Sequence, residues 1–108
     1  MECNEKVYQV VIAPDANSRM YDHFEFLARV SVDAANRLLD GLLEDIRNLR
    51  TNPFRHPAYN RQYLPVGKYR YTLSNKRYRI VFQIIDNQVL VDDIQDCRQD
   101  DDKSILNK

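Results

Sequence analysis

The chain of 108 residues carries 16 basic and 16 acidic residues, so its formal net charge is zero, and 44% of it is hydrophobic. These values are typical of a single globular domain, which we place at 1–108, with a core over about 7–99 and a polar tail over 100–108. The apolar runs are too short to span a membrane, the N-terminus is polar, and Cys3 and Cys97 lack metal-ligand spacing. We therefore expect a cytoplasmic protein that uses no metal and no cofactor.

The first half of the chain has the pattern of one strand followed by two helices. A β-branched run over 7–13 predicts a strand that Pro14 ends. We expect Asn17 or Ser18 to cap the first helix and Ser31 to cap the second. Apolar residues recur at helical spacing from Ala35 onward, and this second helix must end before Pro53. The short break between the helices predicts a helical hairpin.

The second half has the pattern of a loop followed by three strands. The loop covers 53–65, and the strands are predicted at about 68–74, 77–85 and 88–94, with two-residue turns at 75–76 and 86–87. The element order is then β-α-α-β-β-β. This order predicts an α+β fold in which the helical hairpin packs on one face of a small, mainly antiparallel, twisted sheet.

Charge is strongly segregated along this neutral chain. No acidic residue lies between Asp45 and Asp86, although the same window holds nine basic residues. Such a concentration of cations can form a local site for phosphate or for an acidic partner. The nine residues are Arg47, Arg50, Arg55, Arg61, Lys68, Arg70, Lys76, Arg77 and Arg79.

Strand alternation predicts which of these cations share a face. A two-residue turn at 75–76 would pair Thr72 with Arg79 and Arg70 with Val81. Lys68, Arg70 and Arg79 would then share the sheet face away from the helices, with Arg70 and Arg79 close enough to hold one anion. The alternative is that these are ordinary solvated arginines on an exposed face.

Two aspartates interrupt the last predicted strand. With a turn at 86–87, Asp92 would lie opposite Val81 on the arginine face and Asp93 opposite Ile80 on the core face. Asp92 could orient Arg79 or accept a proton. A stabilising ion pair that partly neutralises the arginines is the simpler interpretation.

The helix segment SVDAANRLLDGLLEDIRNLRTNP and the strand segment YRYTLSNKRYRIVFQIIDNQVLVDDIQDCRQD resemble the RelE/ParE superfamily of toxins from type II toxin–antitoxin, or plasmid stabilisation, modules. The most telling part is the strand over 78–82, and the resemblance extends from Val7 to about Asp100. It implies a RelE/ParE-like fold. It also implies a cognate antitoxin as partner, which we expect to carry an acidic, partly disordered segment attracted to the cations.

Toxins of the RelE branch cut messenger RNA in the ribosomal A site without a metal, by attack of a ribose 2′-hydroxyl on the adjacent phosphate. The resemblance places Arg70, Arg79 and Arg98 at positions that stabilise charge on this phosphate, and we take them as candidate catalytic residues. As candidate substrate-binding residues we take Lys68, His56, Arg61, Lys76 and Arg77.

The chain departs from the RelE pattern at three positions. A lysine expected two residues after Arg70 is Thr72, a base-stacking aromatic residue would fall near Ile105, and the region of Asp96 replaces a histidine. No general acid is obvious, although His56 and Tyr59 are possible substitutes.

These departures leave three functions open. The first is a ribosome-dependent endoribonuclease toxin, which we rank first. The second follows from the ParE branch, whose toxins inhibit DNA gyrase and act by binding. The third is a degenerate family member that is not toxic.

Overall fold

The computed structural model describes residues 6–97. The elements follow the predicted order β-α-α-β-β-β. They are β1 (Gln9–Ile12), α1 (Pro14–Ala28), α2 (Val32–Arg47), β2 (Tyr69–Ser74), β3 (Tyr78–Ile85) and β4 (Gln88–Asp96), with 3₁₀ turns at Asn48–Arg50 and Pro53–Arg55. Over these described residues, no helix is both long and apolar enough to cross a membrane.

The four strands form one mixed sheet in the order β1-β4-β3-β2. β1 is parallel to β4, and the other neighbours are antiparallel. The helical hairpin packs on one face of this sheet, which confirms the predicted α+β architecture. The main core lies between the two layers and includes Met20, Leu38, Leu42, Ile80, Phe82 and Val91.

The two helices begin in different ways. Ser31 caps α2 as predicted, because its Oγ accepts a hydrogen bond of 3.1 Å from the backbone N–H of Ala34. α1 instead begins directly at Pro14, so the prediction of a cap at Asn17 or Ser18 was wrong. Proline suits the first helical position because its φ is already fixed there and its missing N–H is not needed.

The hairpin between β2 and β3 has a three-residue loop rather than the predicted two. Ser74 pairs with Tyr78, and both Asn75 and Lys76 adopt left-handed backbone conformations, with φ of 54° and 66°. A Cβ at Gly41 of α2 would lie 2.7 Å from the Asn75 side-chain nitrogen, so glycine at this position allows the hairpin tip to approach the helix.

The longer loop shifts the β2–β3 register by one residue, and such a shift moves every β2 side chain to the other face. Tyr71 therefore pairs with Val81, and Leu73 pairs with Arg79, on the face away from the helices. The two-residue turn expected from the sequence would place Tyr69, Tyr71 and Leu73 on the face that packs on the helices, and this prediction was wrong. The observed register is favoured because it allows Tyr69 and Tyr71 to form a second small core.

The turn at 86–87 has the predicted two residues, with Ile85 paired to Gln88. A β-bulge between Val81 and Phe82 then changes the rest of β4, because Asp92 becomes an extra residue without a partner in the ladder. Beyond the bulge, Asp93 pairs with Val81 on the face away from the helices, so the prediction that Asp93 lies opposite Ile80 on the core face was wrong.

The loop between α2 and β2 crosses to the sheet face away from the helices. The Tyr59 N–H donates to the Tyr69 carbonyl at 2.8 Å, and the Tyr71 N–H donates to the Pro57 carbonyl at 3.1 Å. Tyr59 is only 1% exposed and packs with Tyr69 and Val81. This face is therefore not the open surface that the sequence predicted, and the loop supplies part of its functional side chains.

Candidate functional site

An open cavity of about 240 Å³ lies on the sheet face away from the helices. We call it the arginine cavity. The loop after α2 contributes four of its lining residues, and β2 and β3 contribute one each. They are Ala58, Tyr59, Asn60, Arg61, Tyr71 and Arg79.

Both guanidinium groups of the cavity lie over tyrosine rings. The Cζ atom of Arg61 is 4.5 Å from the centroid of the Tyr59 ring, and that of Arg79 is 5.4 Å from the same centroid. Arg79 also lies 5.6 Å from the Tyr71 centroid. Each such contact contributes about 0.5–1 kcal/mol at a partly exposed site. The Tyr59 ring is thus in contact with both cations.

A hydrogen-bond network connects the cavity to a buried carboxylate. Arg79 donates to Gln95 Oε1 at 2.9 Å, and Gln95 Nε2 donates to Asp93 Oδ2 at 3.0 Å and to the Tyr59 hydroxyl at 3.1 Å. Asp93 is fully buried, and the Arg19 guanidinium lies 3.6 Å from its carboxylate. Arg19 of α1 therefore helps to neutralise the negative charge of Asp93. Arg79 is connected to Asp93 through the neutral side-chain amide of Gln95.

The arrangement can bind an anion, but it offers little for proton transfer. The cavity is lined by two arginines and two tyrosines, and its six lining residues include no histidine and no carboxylate. Among residues 6–97, no Asp or Glu carboxylate lies within 4.0 Å of the Arg79 guanidinium.

Arg70 lies on the opposite side of the sheet from Arg79. Its Nη1 donates to the His56 carbonyl at 2.7 Å and to the Phe54 carbonyl at 3.3 Å, and its Cζ lies 5.2 Å from the Phe54 ring centroid. The prediction that Arg70 and Arg79 share a face was wrong because of the register shift. Arg70 therefore stabilises the loop between α2 and β2. Because it lies on the other face of the sheet, it cannot bind the same anion as Arg79.

His56 and Lys68, two candidate substrate-binding residues, also lie apart from the arginine cavity. His56 packs edge-on against Phe82, with ring centroids 5.7 Å apart, and burial lowers its pKa, with smaller effects of the same sign from Arg55 and Arg70. The Lys68 ammonium lies 5.3 Å from the Tyr69 centroid.

Lys68 also acts on Asp92, the bulge residue. Asp92 accepts a hydrogen bond from Gln83 at 2.7 Å rather than orienting Arg79. Burial raises the pKa of Asp92, and the hydrogen bond from Gln83 and the charge of Lys68 oppose this effect. Asp92 is thus part of a separate polar cluster.

The remaining predicted cations are at the β2–β3 hairpin or beyond the described residues. Lys76 is exposed at the hairpin tip. Arg77 donates to the Tyr78 hydroxyl at 2.9 Å, lies 4.0 Å from the Asp96 carboxylate, and lines a second cavity of about 200 Å³ between the hairpin and the helices. Arg98 and Ile105 lie outside the described residues.

Of the eight predicted site residues, the structure brings together Arg61 and Arg79. Sequence reasoning missed Asn60, Tyr71 and Gln95. Tyr71 was assigned to the wrong face by the register, and Gln95 reaches Arg79 only because of the bulge. The one available indication of the bulge was the pair of aspartates interrupting an otherwise apolar strand.

A family model described as the ParE toxin of the type II toxin–antitoxin system parDE matches residues 10–101. Because this match covers most of the chain, the protein belongs to the ParE toxin family, within the RelE/ParE superfamily expected from the sequence. A solved structure titled "Chromosomal ParDE TA system from P. aeruginosa" is similar, with a TM-score of 0.69 over 83% of this chain and 96% of that chain, at 9% identity. A comparison with curated proteins found no match.

Proposed function

We propose that this toxin inhibits DNA gyrase by binding to it and does not cleave RNA. The observation that carries the proposal is the position of the arginines, because Arg70 and Arg79 lie on opposite faces of the sheet. This position separates two of the three arginines on which the nuclease interpretation rested. Membership of the ParE family supports the same choice.

Cleavage by a 2′-hydroxyl requires a proton acceptor, a donor to the leaving oxygen and positive charge on the phosphate. The arginine cavity supplies positive charge from Arg61 and Arg79. His56, a candidate acid identified from the sequence, lies apart from this cavity and packs against Phe82 beside Arg70. The site is therefore better suited to holding an anionic group than to transferring its protons.

We further propose that the partner in the cell is a cognate antitoxin with an acidic, partly disordered segment. The family is defined by toxin–antitoxin modules, and the similar solved structure is titled as such a system. The segregated cations of this neutral chain give an acidic segment a defined target.

Expression of the chain in growing bacteria tests the proposed target. We expect growth arrest with induction of the DNA-damage response, while the rate of protein synthesis initially stays normal. An immediate stop of protein synthesis with messenger RNA cut in the ribosomal A site would overturn the proposal in favour of the nuclease. Normal growth at high expression would instead favour a degenerate, non-toxic member.

A further inference from the structure

We propose that the second cavity, between the β2–β3 hairpin and the two helices, binds a small phosphomonoester whose phosphate group is held by Arg37 and Arg77. We call it the hairpin cavity. Its volume is about 200 Å³, and α1, α2 and the hairpin line it. No residue of the arginine cavity is among its lining residues. The inference goes beyond the proposed function, because it concerns a small ligand and depends on neither gyrase nor RNA.

The first argument is the state of Arg37. This arginine is exposed on α2 and lines the hairpin cavity. Within residues 6–97 it forms no ion pair and no side-chain hydrogen bond. Its five guanidinium N–H donors and its charge are therefore available to a ligand in the cavity.

The second argument is the incomplete pairing of Arg77. Its Nη2 donates to the Tyr78 hydroxyl at 2.9 Å, but lies 4.0 Å from the Asp96 carboxylate, which is too long for a hydrogen bond. Its Nε is buried and has no hydrogen-bond partner, which is unusual in a native fold. The side chain is 33% exposed, so other atoms of it reach the surface. Protein groups thus leave part of this guanidinium available for an anion.

The third argument is that the polar residues of the cavity are mainly donors. Besides the two arginines they are Asn75 and Tyr78, and no carboxylate lines the cavity. Asn75 Nδ2 donates to Ser74 Oγ at 3.0 Å and has a second N–H, while the Tyr78 hydroxyl accepts from Arg77 and keeps its own proton. Four donor groups suit the three terminal oxygens of a phosphomonoester better than the two of a carboxylate. The planar guanidinium also matches phosphate geometry.

The fourth argument is the size of the cavity and its apolar wall. A volume of about 200 Å³ equals the share of roughly seven water molecules in liquid water, below the range of about 300–1,000 Å³ for drug-sized ligands. Leu27, Ala34 and Leu38 form the apolar part of the lining. A phosphate with a small carbon group attached can fill this space and contact the apolar wall, whereas inorganic phosphate leaves that wall in water.

The test is titration of the full chain with phenyl phosphate as the probe, followed by calorimetry and by NMR shifts of the arginine Nε–Hε groups. We expect R37Q and R77Q each to weaken binding by about tenfold or more, as for loss of a charge-assisted hydrogen bond. R37Q is the cleaner variant, because Arg37 makes no contact that the fold needs among residues 6–97. Arg50 is another exposed arginine, so R50Q is the matched control and should bind like the wild type. Inorganic phosphate should bind more weakly, and uncharged phenol should leave the arginine signals unchanged.

Equal affinity of the wild type and R37Q for phenyl phosphate would overturn the proposal. So would binding that is lost in R79Q but kept in R37Q, because the anion would then occupy the arginine cavity. Benzoate that binds as tightly as phenyl phosphate would overturn the assignment of the ligand class. The titration contains no gyrase. A chain that binds phenyl phosphate through Arg37 but leaves gyrase active contradicts the proposed function alone, and a gyrase inhibitor that does not bind phenyl phosphate contradicts this inference alone.

Discussion

Replacing Arg70 by methionine separates a structural role from a catalytic one. The substitution keeps much of the aliphatic stem but removes the hydrogen bonds to the carbonyls of His56 and Phe54. The bond to His56 is short and partly buried, so its loss costs about 1.5–3 kcal/mol. The longer, exposed bond to Phe54 and the contact with its ring add about 0.5–1 kcal/mol.

We therefore expect R70M to lower the free energy of unfolding by about 2–4 kcal/mol, measured by urea denaturation near neutral pH. R79M is the matched comparison. It removes one hydrogen bond to Gln95 and the contacts with the Tyr59 and Tyr71 rings, so we expect a loss of about 1.5–2 kcal/mol, smaller than for R70M. The assignment of Arg70 to loop anchoring would be refuted if R79M were the more destabilised variant, or if R70M unfolded within about 0.5 kcal/mol of the wild type.

Three further predictions concern α1 and α2. Loss of the Ser31 cap in S31A should cost about 1 kcal/mol in urea unfolding, whereas S31D should retain most of the stability. R19M should lower the free energy of unfolding by about 3 kcal/mol, because buried Asp93 loses the cation that lies 3.6 Å away, and D93N should recover part of this loss in the double variant. Burial lowers the pKa of His23, whose Nε2 lies 2.7 Å from the Ile94 carbonyl. The unfolded chain therefore binds more protons than the folded chain once the pH drops below the ordinary histidine pKa of 6.5. The free energy of unfolding should fall as the pH drops through this range. The free energy of unfolding, measured from about pH 8 to about pH 5, should depend less steeply on pH in H23F than in the wild type. An unchanged pH dependence would count against the role of His23.

The order of the elements could be predicted from the sequence because each has a strong local pattern. The apolar period of α2 and the cap at Ser31 specified a helix, and the β-branched runs specified strands. The turn at Asp86 was also predicted correctly, since the flanking apolar patterns left room for only two residues. These features depend on residues that are neighbours in sequence.

The face of the sheet on which each strand residue lies depends on single-residue differences in loop length and strand pairing. Without glycine at 75–77, the sequence did not distinguish a two-residue from a three-residue loop, and one residue decides the face of Arg70. The bulge at Asp92 has the same effect on Asp93 and Gln95. Arg61 and Arg79 line the same cavity because the loop between α2 and β2 packs against the sheet. This is a contact between segments distant in sequence, so strand alternation alone could not predict it.

We propose that this toxin acts on gyrase by binding and does not cleave RNA. The most direct measurement is the supercoiling of relaxed plasmid by purified gyrase as the toxin is titrated, with ribosomes carrying messenger RNA treated with the same toxin concentrations in parallel. We predict that supercoiling stops while the messenger RNA stays intact. Full supercoiling activity at saturating toxin, together with messenger RNA cut in the A site, would contradict the claim.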